Sequence, residues 1–260
     1  MTAPRIWRED FKIHSYEIGA SGFASPQAIC KFIQEAAANH ATALDVSVEE
    51  MERHNQMWVL SNLSVRMQKY PRWHQTISIE TWPVTNQSSV RGYRDLTLRD
   101  HNDEVLGRAS TLWLILNKEN RRPMKIPHWL TDVASPGHDI EILHSVKEDD
   151  FWGAPTKSQE FVIRASDIDW NLHVNNVCYL EWALEAIPAR FRYENKVCEL
   201  DISFVGEGRY GNSVIAQCFE PQSGTLPYLH RIVENPSGKL LAMLRILWQP
   251  KENQQSFPQL

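Results

Sequence analysis

Ile29, Phe32, Ile33, Ala36, Ala37, His40 and Leu44 recur at helical spacing directly after Ser25-Pro26. Serine suits an N-cap and proline the first helical position, so this stretch predicts a long helix with a continuous apolar face. After a polar turn the pattern changes. Residues 57–67, 76–84, 90–99 and 105–116 alternate or run rich in β-formers, with Asp100-His101-Asn102-Asp103 as a turn between the last two. One helix followed by an antiparallel meander is the expectation. The second half repeats the order. Residues 160–164 read as extended, and Asn175 or Asn176 caps a helix carrying Val177, Leu180, Leu184 and Ile187 until Pro188 stops it. Strand-like runs follow at 197–205, 213–220, 228–234 and 240–248, with Asn235-Pro236-Ser237-Gly238 as the last turn. Leu112-Trp113 and Leu247-Trp248 hold matching places in the two halves, which points to an internal duplication and an α+β architecture.

Between the halves, Pro123, Pro127, Pro136-Gly137 and Glu148-Asp149-Asp150 mark a connection longer than a compact domain needs internally. The expected division is a domain at 1–130, a linker at 131–158 and a domain at 159–260.

Composition narrows the function classes. Of 260 residues, 42% are hydrophobic and 23% charged, ordinary for a globular chain. The net charge of −5, from 27 Lys+Arg against 32 Asp+Glu, gives no global field for nucleic acid or an anionic membrane. Apolar runs such as 111–116 are too short to span a bilayer. The four cysteines, Cys30, Cys178, Cys198 and Cys218, form no CxxC pair, and the N-terminus has no signal-peptide core. A reducing cytoplasm is the default expectation. His40 and His54 lack ligand spacing with the cysteines, and His101, His138 and His144 sit in loop-like segments, so no metal is expected. No cofactor fingerprint is visible either. Ten tryptophans imply wide apolar surfaces, and those of the first half, Trp58, Trp73, Trp82 and Trp113, suit a core or an apolar binding role.

The densest chemistry lies at Asp167-Ile168-Asp169-Trp170-Asn171-Leu172-His173-Val174-Asn175-Asn176. Asp169, Asn171 and His173 fall at i, i+2 and i+4, and an extended chain would set all three on one face. An imidazole held by a carboxylate serves general acid-base chemistry near neutrality. Asx-rich segments before helices also make turns and caps, the plainer role for Asp167 and Asn176. The equivalent segment of the first half, 17–25, has no histidine and no paired carboxylate, so the second half is expected to carry the chemistry.

The 167–179 segment resembles the D-x-D-x-N-x-H-V-N-N-x-x-Y signature of the acyl-acyl carrier protein thioesterases of plant plastids and their bacterial relatives. Tyr70-Pro71-Arg72-Trp73, Ile77 to Trp82, Leu98-Arg99-Asp100, Gly107 to Ser110 and Leu116 to Pro123 are similar to further blocks of that family. The resemblance implies a tandem, or double, hot-dog fold, each unit a long helix wrapped by a curved antiparallel sheet. The first unit would serve acyl-chain binding or support. It also implies hydrolysis of the thioester between a fatty acyl group and the phosphopantetheine arm of acyl carrier protein. Asp169, Asn171 and His173 match family positions implicated in catalysis, and Glu207 resembles an acidic residue at the end of a following strand. There the plant pattern reads E-C where this chain has Glu207-Gly208. The thiol once proposed as a nucleophile in plant enzymes is therefore absent, and Cys178 and Cys198 read as buried structural thiols. Direct attack by water is expected, with Glu207, or Asp169 in concert with His173, as base. Asn171 would position water or carbonyl, and N–H groups at 174–176 would face the oxyanion. Hydrolysis of acyl-coenzyme A or small acyl thioesters, and non-catalytic acyl binding, are the alternatives. Arg91, Arg94, Arg99, Lys118, Arg121, Arg122 and Lys125 are candidate docking charges for an acidic carrier. Pairing of two copies through sheet edges stays open.

Overall fold

The computed structural model describes residues 4–85, 90–126, 142–221 and 227–251. They group into two compact units, Met1–His144 and Ser145–Leu260. That division falls inside the 131–158 connection; residues 127–141, with Pro127, Pro136-Gly137 and His138, lie outside the described residues.

The first unit runs β1 (Trp7–Lys12), a 3-10 turn at Ser15–Glu17, α1 (Pro26–Ala43), α2 (Val48–Arg53), β2 (Gln56–Met67), β3 (Thr76–Thr85), β4 (Arg91–Arg99), β5 (Val105–Asn117) and β6 (Pro123–Met124). Ser25 starts α1 as the sequence predicts: its Oγ accepts from the Ala28 N–H at 3.1 Å, with Pro26 at the first helical position. The helix buries Ala28, Ile29, Cys30, Phe32, Ile33, Ala36, Ala37 and His40. The sheet order is β1-β3-β4-β5-β2, its neighbours antiparallel, and β6 folds back onto β5. Three elements, β1, α2 and β6, were not expected. The polar turn after α1 contains α2, capped by Ser47 Oγ on the Glu50 N–H at 3.4 Å and burying only Met51. Edge strand β1 carries four charges in six residues, which hide its alternation.

The second unit runs β7 (Lys157–Val162), a 3-10 turn at Ala165–Asp167, α3 (Asn176–Glu185), α4 (Ala189–Glu194), β8 (Asn195–Phe204), β9 (Ser213–Phe219), β10 (Tyr228–Asn235) and β11 (Leu240–Pro250). Asn175 is the cap of α3, its Oδ1 accepting from the Val177 N–H at 2.9 Å. The strand order, β7-β9-β10-β11-β8, is that of the first unit. The equivalence extends to single residues before each helix. Ile13 and Ile163, Ile18 and Ile168, and Ala24 and Val174 are each 150 positions apart; the first two are fully buried, and Ile18–Ala24 and Ile168–Val174 are matching antiparallel bridges. The duplication read from the alternating pattern is thus present in topology. Among the described residues no helix is long and apolar enough to cross a membrane.

Candidate active site

The motif between β7 and α3 is not extended, and the one-face alignment of Asp169, Asn171 and His173 is corrected by the structure. The Asp169 N–H donates to the His173 carbonyl at 2.7 Å and the Leu172 N–H to the Asp169 carbonyl at 3.0 Å. Leu172 takes a left-handed φ of 64°. The cause is the Asp169 side chain, whose Oδ1 accepts from the Asn171 N–H at 2.9 Å and the His173 N–H at 3.2 Å. An aspartate that captures its own downstream amides competes with strand pairing and makes a tight reversal. Asp169 therefore reaches His173 through the backbone amide. Asn171 sits at the exposed tip, and its carboxamide makes no hydrogen bond among the described residues. Asp167 is a turn former: nearly fully buried, it accepts from the Arg164 N–H at 2.8 Å and from the Arg164 guanidinium. Burial works to raise its carboxyl, but the hydrogen bonds and charge of Arg164 outweigh that and hold it below its ordinary value.

The carboxylate that faces the imidazole is Glu207, with Oε1 3.7 Å from His173 Nδ1. The two side chains are 33% and 45% exposed, so solvent and substrate can reach both. Glu207 follows β8 on a loop held from two sides. The Val205 and Gly206 N–H groups both donate to the Leu241 carbonyl, at 2.8 and 3.0 Å. Opposite, the buried Tyr179 hydroxyl of α3 accepts from the Gly208 N–H at 3.1 Å and donates to the Gly206 carbonyl at 3.4 Å. Burial foremost pushes the Tyr179 phenol up to about 12, so it stays protonated and able to donate. Tyr179 stands in the motif, but helical spacing alone gives it only a core position.

Gly208 is fixed by packing. A Cβ there would lie 2.7 Å from Ile163 Cδ1 and 3.2 Å from Val174 Cγ2. The space a side chain would take is filled by apolar groups, so no nucleophile can be seated at this point without displacing them. Gly208→Cys is expected to cost about 1–3 kcal/mol by overpacking, measured by urea unfolding, with Ile163→Val restoring part of the loss. Unchanged stability in the single variant would show that the packing argument is wrong.

The cysteines are core residues. Cys30, Cys178, Cys198 and Cys218 are all buried and in no disulfide, and burial pushes the thiols of Cys30 and Cys218 up to about 12. Cys198 is raised for the same reason, and the Cys178 Sγ contacts the Asp167 carbonyl at 3.7 Å. At the start of α3, the N–H groups of Asn175 and Val177 are taken by the Asp167 carbonyl and the Asn175 side chain. Those of Val174 and Asn176 have no acceptor among the described residues.

One expected docking charge is corrected. Arg94 is buried, its Nη1 donating to His40 Nδ1 at 3.0 Å and to Thr81 Oγ1 at 3.2 Å, so it cannot face a carrier. Arg99 is paired with Glu80 at 3.0 Å and Lys118 with Glu52 at 2.6 Å; Arg91, Arg121, Arg122 and Lys125 lie on the surface. No group of three or more metal-ligating side chains is present among the described residues. In the first unit, Phe23 stands where His173 stands in the second, its ring covered by the Arg72 guanidinium at 4.2 Å. Trp58 and Trp113 meet edge-on at 6.4 Å beside a cluster of Val46, Met51, Ile115 and Ile126, Trp82 is buried, and Trp73 is exposed.

Residues 4–133 match the family model of the acyl-ACP thioesterase N-terminal domain, and residues 154–250 that of the C-terminal domain. The palmitoyl-acyl carrier protein thioesterase of Cuphea hookeriana, a chloroplastic protein, is 29% identical over 263 residues, covering 95% of this chain and 63% of its own length. This chain thus spans less than two thirds of that relative. Among solved structures, an acyl-ACP thioesterase from Bacteroides thetaiotaomicron superposes with a TM-score of 0.83 at 19% identity, covering 94% of this chain and 98% of that one. The 12:0-ACP thioesterase of Umbellularia californica gives 0.79 at 24%, covering 95% and 98%. The fold is accordingly the tandem hot-dog.

Proposed function

The chain belongs to the acyl-ACP thioesterase family, and from that premise we propose that it hydrolyses the thioester of a fatty acyl-acyl carrier protein and releases the free fatty acid. The observation that carries this reading is the His173 Nδ1–Glu207 Oε1 approach of 3.7 Å on a solvent-accessible loop. With the Nδ1–H directed at Glu207, the Nε2 lone pair is left to accept a proton from water. The water oxygen attacks the thioester carbonyl, and His173 returns the proton to the departing thiolate. Asn171, at the exposed tip of the same turn, would hydrogen-bond the water or the carbonyl. The N–H groups of Val174 and Asn176, at the positive end of α3, supply donors for the oxyanion. Asp169 contributes by holding the turn that sets His173 and Asn171 in place. Gly208 leaves no thiol at the position after Glu207, which supports water over a cysteine nucleophile.

The first unit is assigned acyl-chain support on the strength of the tryptophans packed at its apolar cluster, and the exposed Arg91, Arg121, Arg122 and Lys125 are candidate contacts for an acidic carrier. The test is hydrolysis of one acyl chain presented on acyl carrier protein and on coenzyme A. Faster turnover on the carrier, by kcat/KM, is expected; a preference for coenzyme A would transfer the activity to the second substrate class, and no release from either would end the hydrolase reading.

A further inference from the structure

We infer that the buried Tyr179 hydroxyl is the positioning device that holds Glu207 against His173, an inference that rests on the hydrolase reading for its effect on rate. Glu207 lies between Gly206 and Gly208, and glycines on both sides leave a backbone with the widest conformational choice. Both glycines are imposed by packing: a Cβ at Gly206 would meet the Leu240 carbonyl at 3.0 Å and one at Gly208 would meet Ile163 at 2.7 Å. The loop therefore needs an external restraint. The Leu241 carbonyl holds the chain before Glu207, and Tyr179 Oη brackets Glu207 itself, accepting from the Gly208 N–H and donating to the Gly206 carbonyl.

Tyr179 is itself immobilised. It is 3% exposed, and its ring meets Trp182 and Phe204 edge-on at 5.3 and 5.8 Å. It also belongs to α3, the helix that follows His173 after two residues. The imidazole thus lies on the turn that leads into α3, and the restraint on the carboxylate lies one turn into that helix, so a short stretch of chain links the two.

The first unit supplies an independent comparison. The 150-residue offset that holds to the start of the helices makes Ile29 the counterpart of Tyr179 and Phe23 that of His173. In the loop after β2, the Gln68 and Lys69 N–H groups share the Leu106 carbonyl as Val205 and Gly206 share that of Leu241. That register equates Tyr70 with Glu207 and Pro71 with Gly208. Proline has no N–H to give. The hydroxyl, its amide partner, the carboxylate and the imidazole are all absent together from one unit and present together in the other, as expected of parts that work as one device.

Tyr179→Phe tests this by removing a single oxygen from a packed ring. On a fatty acyl carrier protein it is expected to lower kcat by about 10–100-fold, the usual scale for a misplaced catalytic group, with little change in KM. In a Glu207→Gln background the same substitution should cost almost nothing, a dependence that a merely structural residue would not show. Hydrogen exchange reads the restraint without any turnover. The Gly208 amide should be protected in the wild-type chain and exchange faster in Tyr179→Phe, with thermal unfolding confirming that the variant is folded. Unchanged kcat, an equal loss in both backgrounds, or a Gly208 amide that is unprotected in the wild type would each overturn the inference. If the wild-type chain hydrolyses no acyl carrier protein, the hydrolase reading falls, and the exchange at Gly208 decides the restraint alone.

Discussion

Replacing His173 by alanine is expected to lower kcat on a fatty acyl carrier protein by about 10²–10⁴-fold, the range for loss of a general base. Stability should move little. The His173 side chain is one-third exposed, its ring meets Glu207 only across 3.7 Å, and the turn is held by backbone groups and Asp169, none of which the substitution removes. Surface changes of that kind usually stay within about 0.5 kcal/mol. Glu207→Gln should lose less, because it leaves the imidazole in place and removes only the charge that orients it. The double variant His173→Ala/Glu207→Gln should be no slower than His173→Ala, since groups that act as a unit are not additive. Initial rates of fatty acid release, with circular dichroism on each variant, decide the matter. Near wild-type turnover by a folded His173→Ala chain would remove His173 from the chemistry, and losses that multiply in the double variant would separate Glu207 from it.

The parts of this site that could be read in the sequence, and those that could not, divide along a physical line. Helix α1 was legible because Ser25, Pro26 and the apolar spacing agree, and strands β2 to β5 because each is a run rich in β-formers bounded by turn residues. Which residues carry the chemistry was legible from their types and their clustering. Their arrangement was not. The i, i+2, i+4 spacing suggests one face only if the chain is extended, and a single Asp169 oxygen accepting two amides bends it instead. Leu172 hides the reversal further, because a left-handed turn position is usually announced by glycine, as at Gly22 in the first unit, where φ is 77°. Tyr179 carries no sign in its spacing that its hydroxyl leaves the core to hold a loop 27 residues later. Arg94 failed in the opposite sense: an arginine among arginines reads as surface charge, and only the sheet register reveals that it points inward at His40. Periodicity reports which face a residue occupies; it is silent on what a polar atom meets across the fold.

A second histidine governs stability rather than rate. His230 is fully buried on β10, and neither ring nitrogen has a hydrogen-bond partner among the described residues. Burial without compensation lowers its pKa from 6.5 to about 3, so the folded chain holds it neutral. The sign follows from linkage. The unfolded chain takes up the proton first, so the full stability is present above the unfolded value of 6.5 and is lost as pH falls from there toward 3. Between pH 7 and pH 5 this one group should cost about 2 kcal/mol. His40, lowered to about 4 by burial and by the adjacent Arg94, acts in the same direction in the first unit. The duplication names the replacement that isolates His230. It pairs across β9 with Cys218 and across β11 with Leu244, and the matching position of the first unit, between Thr81 and Ala109, is Leu96. His230→Leu should raise stability at pH 7, since a buried polar group without partners is replaced by an apolar one. It should also remove about 2 kcal/mol of the loss on going to pH 5. Urea unfolding of both chains at pH 7 and pH 5 measures each effect. An unaltered pH dependence in His230→Leu would show that His230 takes up its proton in the folded state, through a contact that burial here denies it.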